Sequence, residues 1–350
     1  MADEQREYDA RTARARAVQL FRAIAPGVLV SLLAAAASSG IGLLLPGVSP
    51  LILAIVLGVL VANTIGVPPL CAAGVDFSAK KLLRAGIVLL GLQLALTDIV
   101  DLGAALLVVV VCIVGGGMLG TILLGRLLRV PSGLTLLIAC GFSICGAAAV
   151  AAAAGVTDPD DESEQDTITA VALVVLFGTL MIPLIPLAAQ LFGMGQEQAG
   201  MWAGGSIHEI AQVVAAGGVI GGGALGVAVV VKLARVLLLA PVVAGLSIRQ
   251  RRLSRAAGKT SLAKLPPIVP LFMLGFIAMV LLRTFAPLPD GVLGVGGALQ
   301  TGLLAAAMFA LGCGVRIRNL VGVGPRPFVL GALATLLVGA IAYVGVRLVG

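Results

Sequence analysis

Charge is what this sequence has least of: Asp, Glu, Lys and Arg make up 11% of its 350 residues, against 60% hydrophobic. Soluble domains carry roughly 25% charged residues, so a soluble globular enzyme is excluded. A mean hydropathy of +1.15 puts the chain among polytopic membrane proteins. Long polar stretches are missing too. The longest are the N-terminal arm to about Arg22, the acidic segment Thr157–Asp166 and the basic segment Arg249–Lys264. None is large enough for a soluble domain, so the chemistry has to happen inside the membrane. The five cysteines, Cys71, Cys112, Cys140, Cys145 and Cys313, show no CxxC pairing and mostly lie in apolar runs; they read as small packing residues. With a single histidine and no paired cysteines there is no zinc set, and neither a metal nor a cofactor is expected.

The net charge of +7 is spread over short loops between apolar runs. It therefore reports topology rather than a phosphate footprint, and nucleic acid is not an expected partner. Hydropathy gives about eleven candidate spans, near 27–45, 48–66, 82–98, 102–125, 132–156, 167–189, 199–220, 223–247, 266–284, 291–314 and 327–348. The first is long enough to span and reads as an uncleaved helix. Placing the N-terminus inside puts Arg11, Arg14, Arg16, Lys80, Lys81, Arg84, Arg126, Arg129, Arg249, Arg251, Arg252, Arg255, Arg316, Arg318 and Arg326 on the cytoplasmic side. The acidic Asp158–Glu164 loop and the C-terminus then fall outside.

With an odd number of spans, two blocks of five follow the first helix with opposite topology. The expected organisation is a cytoplasmic arm over 1–26, an extra helix over 27–45, a first five-helix repeat over 48–189 and an inverted second one over 199–348. The fourth member of each block, Ser132–Val156 or Gly291–Gly314, is rich in Gly, Ala and mid-span polar residues. Inverted-repeat transporters bind substrate at such interrupted helices near the midplane, so these two are expected to break. The GxxxG spacing of Gly116 and Gly120 reads as close helix packing.

The stretch from Trp202 to Gly217 holds the only Trp and the only His, next to one of the few acids within an apolar run. A charged side chain at mid-helix costs roughly 2.5–3.5 kcal/mol on insertion scales and normally marks a pathway or site. His208 and Glu209 are therefore the first functional candidates, with Gln212 one turn on. Gly221-Gly222-Gly223 should turn the chain into an antiparallel helix pair, which brings His208 and Glu209 to about the depth of Lys232 and Arg235, near mid-membrane. Lys232 and Arg235 share one face. The plain alternative is a buried ion pair that sets helix register, or a snorkelling Lys232. His208-Glu209 resembles the start of a zinc-protease H-E-x-x-H, but Gln212 stands at the second ligand position. Ser143, Cys145 and Gly146 lie at the centre of the 132–156 span, where a broken helix would offer an anion its N–H groups. Gln300 and Thr301 sit at the matching depth of the tenth span, where interhelical hydrogen bonding is the other reading.

The segments Phe142-Ser-Ile-Cys-Gly-Ala-Ala-Ala-Val-Ala-Ala-Ala153, Trp202–Gly217, Val231-Lys-Leu-Ala-Arg-Val-Leu-Leu-Leu-Ala-Pro241 and Leu311-Gly-Cys-Gly-Val-Arg-Ile-Arg-Asn-Leu320 resemble the signature stretches of the bacterial sulfate exporter family of YeiH-like proteins. The likeness runs from about Val48 to the end. It implies kinship with the cation/proton antiporter and anion transporter superfamily, a fold with two crossed broken helices, and sulfate as a substrate. Ala148 departs from the family pattern, where Ser is expected after Cys-Gly-Ala.

The expectation is thus an all-α integral membrane protein of the inner membrane. Its expected activity is that of a secondary transporter for a small anion, sulfate or an organosulfonate, and not of an enzyme. Ser143, Cys145, Gly146, His208, Gln212, Lys232, Arg235, Gln300 and Thr301 are the expected substrate contacts, with Glu209 and His208 as coupling groups for protons or, alternatively, sodium. A homodimer is one assembly it allows. An intramembrane enzyme would need a nucleophile–base pair or a metal set; a channel or receptor would show a continuous polar stripe, and none is evident.

Overall fold

The computed structural model describes residues 2–44, 50–158, 163–256, 271–314 and 324–349, and among these every regular element is helical. The chain runs through α1 (Ala2–Leu44), α2 (Pro50–Thr64) and α3 (Pro69–Phe77); a π-helical turn, Ser78–Leu82, carries α3 into α4 (Leu83–Leu90). Then follow α5 (Leu96–Val100), α6 (Ala104–Leu127), α7 (Ser132–Ser143), α8 (Ala147–Thr157), α9 (Glu164–Leu191), α10 (Gln196–Ser206) and α11 (Ile210–Ile220). The rest comprises α12 (Ala224–Leu237), α13 (Leu239–Ala256), α14 (Leu271–Phe285), α15 (Asp290–Gly314) and α16 (Pro325–Val349). Among the described residues, six helical runs are long and apolar enough to cross a membrane: Arg22–Leu44 of α1, α6, α9, Ala224–Leu253 of α12–α13, α15 and α16.

Two of the eleven expected crossings are hairpins instead. At 1.5 Å per residue, the 12 residues of α7 and the 11 of α8 are about 18 and 16 Å long, each about half of a hydrocarbon core of roughly 30 Å. Both arms start and end on one face. Gly133 at the start of α7 lies against the Asp166 carboxylate, and Asp158, just past α8, accepts the Ser163 N–H at 2.7 Å. The second hairpin, α10–α11, closes in the same way: the Gln196 side chain that opens α10 sits against Gly222, just past α11, and Gly217 packs on Leu225 of α12. Its base lies at the far end of the 28-residue α9, so the two hairpins enter from opposite faces. Their tips meet at the middle of α9, where Gly141 packs on Val174 and Gly178 on Gln212.

The sequence dictates these turns locally. Gly146 has φ +76° and a Cβ there would collide with the Glu209 side chain, so the first tip requires glycine. Glu209 opens α11 as its N-cap and forms a reciprocal capping box with Gln212. The second interrupted element is therefore 196–220 and not the expected 291–314, since α15 is unbroken. Its Gly and Ala residues serve contact instead: Gly312 approaches the backbone of Ile55 and Gly58 on α2. The hairpins also move the acidic loop. Asp158 and Glu164 share a small cavity with Asp76, Lys80 and Arg84, on the basic face and not on the opposite one where they were expected. Positions 316 and 318 lie outside the described residues.

Packing separates the helices into two groups. In one, α6, α9, α12 and α16 enclose the hairpins; in the other, α1, α2 and α3–α4 gather around α15, and α14 packs on α4. The surface of α8 is almost bare, because its sequence is Ala-Ala-Ala-Val-Ala-Ala-Ala-Ala-Gly-Val-Thr. Single cysteines placed in a version lacking the five native ones test this topology. Glu164→Cys and Arg252→Cys should react with an impermeant reagent from the same side, and Gly223→Cys and Asp290→Cys from the other; Glu164 grouping with Gly223 would restore 132–157 as a crossing helix.

Candidate functional site

Breaking a helix inside the membrane leaves its last carbonyls without partners. Both hairpin tips do this, and α12 supplies the remedy. Lys232 and Arg235, each fully buried, project from its last two turns into the gap between the tips. Lys232 Nζ donates to Ile144 O at 2.8 Å and to Ile207 O at 2.9 Å. Arg235 Nε donates to Ser143 O at 3.2 Å and Nη2 to Phe142 O at 3.0 Å. Its Nη1 serves Gly204 O at 3.1 Å, Gly205 O at 2.7 Å and Ile207 O at 3.1 Å. The two cations thus cap the negative, C-terminal ends of α7 and α10. α10 reaches α12 closely because Gly200 and Gly204 lie on the backbones of Ala224 and Ala228.

Glu209 holds the opposite, positive ends. Its Oε1 accepts the Ala147 N–H at 3.1 Å, at the start of α8, while Gln212 Oε1 accepts the Glu209 N–H at 3.2 Å. Among the described residues, no ion pair within 4.0 Å joins Glu209 to Lys232. Each charge is matched to helix ends instead. His208 is spent structurally: Nδ1 faces Phe142 O at 3.2 Å, an acceptor only, so that nitrogen carries the proton, and Nε2 meets Thr335 Oγ1 at 3.0 Å. The Ser143 hydroxyl is buried without a partner.

Beside the tips, between the two helix groups, lies a cavity of about 770 Å³. Cys145, Ala148, Glu209, Gln300 and Thr301 line it together with Gln93. Among the described residues, Ala148 N–H in the first turn of α8 has no acceptor. Lys232, Arg235, His208, Gln212, Ser143 and Gly146 do not line the cavity. Ten sequence-selected residues therefore divide in two: a sealed cluster that builds the tips, and a cavity wall on which Glu209 is the one acidic or basic side chain among the described residues. Leu83, 1% exposed, borders both this cavity and the smaller one of about 120 Å³ on the basic face. Reading the sequence missed Thr335, Gln93 and Leu83; the first lies in an apolar span, and only the neighbouring Lys80, Lys81 and Arg84 drew attention to the third.

Two substitutions test the capping roles. Arg235→Gln orphans several buried carbonyls at about 1–3 kcal/mol each, so the purified protein should unfold at a markedly lower temperature. Gly146→Ala, forced into positive φ against Glu209, should cost about 1–3 kcal/mol. Unchanged melting of Arg235→Gln would free the guanidinium for a ligand-binding role.

Residues 24–331 match the family described as Conserved hypothetical protein 698. A UPF0324 membrane protein of Corynebacterium glutamicum is 60% identical over 324 residues, 92% of each chain. One from Pseudomonas putida is 39% identical, covering 83% of this chain and 82% of its own, and one from Agrobacterium fabrum 35%, covering 84% and 82%. No solved structure matches the chain. With its apolar helices and these relatives, the chain belongs to this conserved family of UPF0324 multi-pass membrane proteins.

Proposed function

We propose that the protein is a secondary transporter that carries an anion across the cytoplasmic membrane, with its N-terminus on the cytoplasmic side. The observation that carries this reading is the meeting of two hairpins, from opposite faces, over two buried cations and beside one cavity. Discontinuous helices with half-helix ends at mid-membrane are the substrate and ion sites of secondary transporters. Against an enzyme stands the burial of the single histidine and its hydroxyl partner Thr335 away from the cavity, where a reacting group would not reach them.

The sign of the substrate follows from counting charge. Each helix terminus is worth about half an elementary charge, so two C-terminal and two N-terminal ends cancel. Lys232 and Arg235 against Glu209 leave about one positive charge at mid-membrane, which a monoanion would neutralise. A dianion such as sulfate, the substrate that the resemblance to sulfate exporters implies, fits the same count when Glu209 carries a proton.

Glu209 is also the natural coupling group. It lines the cavity, lies within the field of Lys232 of α12, and while ionised keeps the Ala147 N–H for itself. Protonated, it frees that donor for the substrate. The inverted relation expected between two blocks of five is read here between the α7–α8 hairpin with α6 and α9, and the α10–α11 hairpin with α16 and α12. In the second unit the hairpin comes first and the counterpart of α6 ends the chain. The septum at Leu83 between cavities on opposite sides is then the barrier that alternating access opens and closes.

Counterflow of labelled anions in proteoliposomes tests transport itself. Binding should strengthen as pH falls through the titration of Glu209, and Glu209→Gln should retain anion exchange but lose accumulation driven by a pH gradient. Undiminished gradient-driven uptake by Glu209→Gln would remove it as the coupling site. Leu83→Ala should raise flux that is not coupled to the gradient, and a tight Leu83→Ala transporter would place the barrier elsewhere.

A further inference from the structure

The cavity is large and dry for an inorganic ion. At about 770 Å³ it falls in the range that holds drug-sized ligands, roughly 300–1,000 Å³. Most of its wall is hydrocarbon, with Leu83, Leu90, Val214, Val229, Leu304 and Met308 among the contributors. A tetrahedral dianion entering it would lose most of its water against hydrocarbon, and among the described residues no Lys or Arg lines the wall to compensate. The polar groups are few: Gln93, Gln300, Thr301 and Cys145, with Glu209 and the unpaired Ala148 N–H. Donors that can serve an anion are concentrated where the first turn of α8 meets Glu209 and where α15 presents Gln300 and Thr301.

We infer that the substrate is an organic monoanion with an apolar body. Its charged head lies at the first turn of α8, facing Gln300 and Thr301, and its body fills the space between α4, α12 and α15. This assignment rests on the transport reading above and narrows it: one head charge neutralises the residual charge at the tips, and the apolar walls take up a hydrocarbon portion that inorganic sulfate lacks. A chain built of methylenes should gain affinity with every carbon it buries.

The test is calorimetric titration of the purified protein in nanodiscs with linear alkanesulfonates from ethane- to dodecanesulfonate, which remain ionised at every working pH. Inorganic sulfate and hexylammonium complete the set. Affinity should rise about fourfold per methylene, the factor given by about 0.8 kcal/mol per buried CH₂, or on the order of 200-fold from ethane- to hexanesulfonate, then level off once the cavity is full. Met308→Ala, which enlarges the cavity, should move the plateau to longer chains, and Val229→Phe, which fills the space assigned to the body, should weaken hexanesulfonate more than ethanesulfonate. Sulfate binding as tightly as hexanesulfonate would overturn the substrate class and leave anion transport standing. Preference for hexylammonium would overturn both. A rise continuing through dodecanesulfonate would make the cavity a lipid-facing groove, and absence of binding across the series would equally end the assignment.

Discussion

The centre of this protein depends on seven hydrogen bonds from two side chains of α12 to the carbonyls at the hairpin tips. A helix that stops halfway through a membrane exposes backbone acceptors where no water can reach them. A neutral donor would satisfy one or two; a buried ammonium and a guanidinium satisfy six carbonyls and neutralise two dipole ends as well. The bridging is also mechanical. Because Lys232 binds Ile144 O and Ile207 O at once, and Arg235 likewise spans both tips, hairpins rooted on opposite faces share one clamp. A displacement of either tip has to carry α12 with it or break bonds that have no replacement.

The opposite ends of the break are treated differently. Carbonyl ends are sealed by cations inside the protein, whereas the N–H ends face Glu209 and the cavity. The interior carboxylate occupies a place that suits a carboxylate or sulfonate from outside. On the transport reading, the ionised Glu209 carboxylate and the substrate therefore compete for the same backbone groups, and protonation favours the substrate without any need for contact between Glu209 and Lys232.

Much of this was legible in the sequence. Charge inside apolar runs singled out Glu209, Lys232 and Arg235, and the glycine turn at 221–223 put them at one depth. The 132–157 break was readable from Gly146 and its polar neighbours. What hydropathy could not distinguish was a crossing helix from a hairpin, because two half-length arms contain as many apolar residues as one full span. Charge bias could not correct this either. Between Arg129 and Lys232 the chain has no Lys or Arg, so the side reversed by the first hairpin is restored by the second before another basic loop is read. Acidic residues carry little topological weight, and the charged residues at the hairpin bases in that interval, Asp158 to Asp166 and Glu197, are all acids. The functions of Lys232 and Arg235 were hidden for a related reason: depth says which groups meet, but not whether they face a cavity or the end of a helix.

The bare surface of α8 has a consequence for movement. Helices normally lock by setting ridges of side chains into grooves, and leaving such a lock costs the contacts of every interdigitated residue. Nine of the eleven residues of α8 are Ala, Gly or Thr, so the arm offers its neighbours almost nothing to grip, while alanine's high helix propensity keeps it wound without lateral support. So smooth a surface leaves few interdigitated contacts to break if the arm shifts against α9 and α13. The same smoothness makes it intolerant of bulk, since one added branched side chain would act as a tooth and pin the arm in whichever position it first engages.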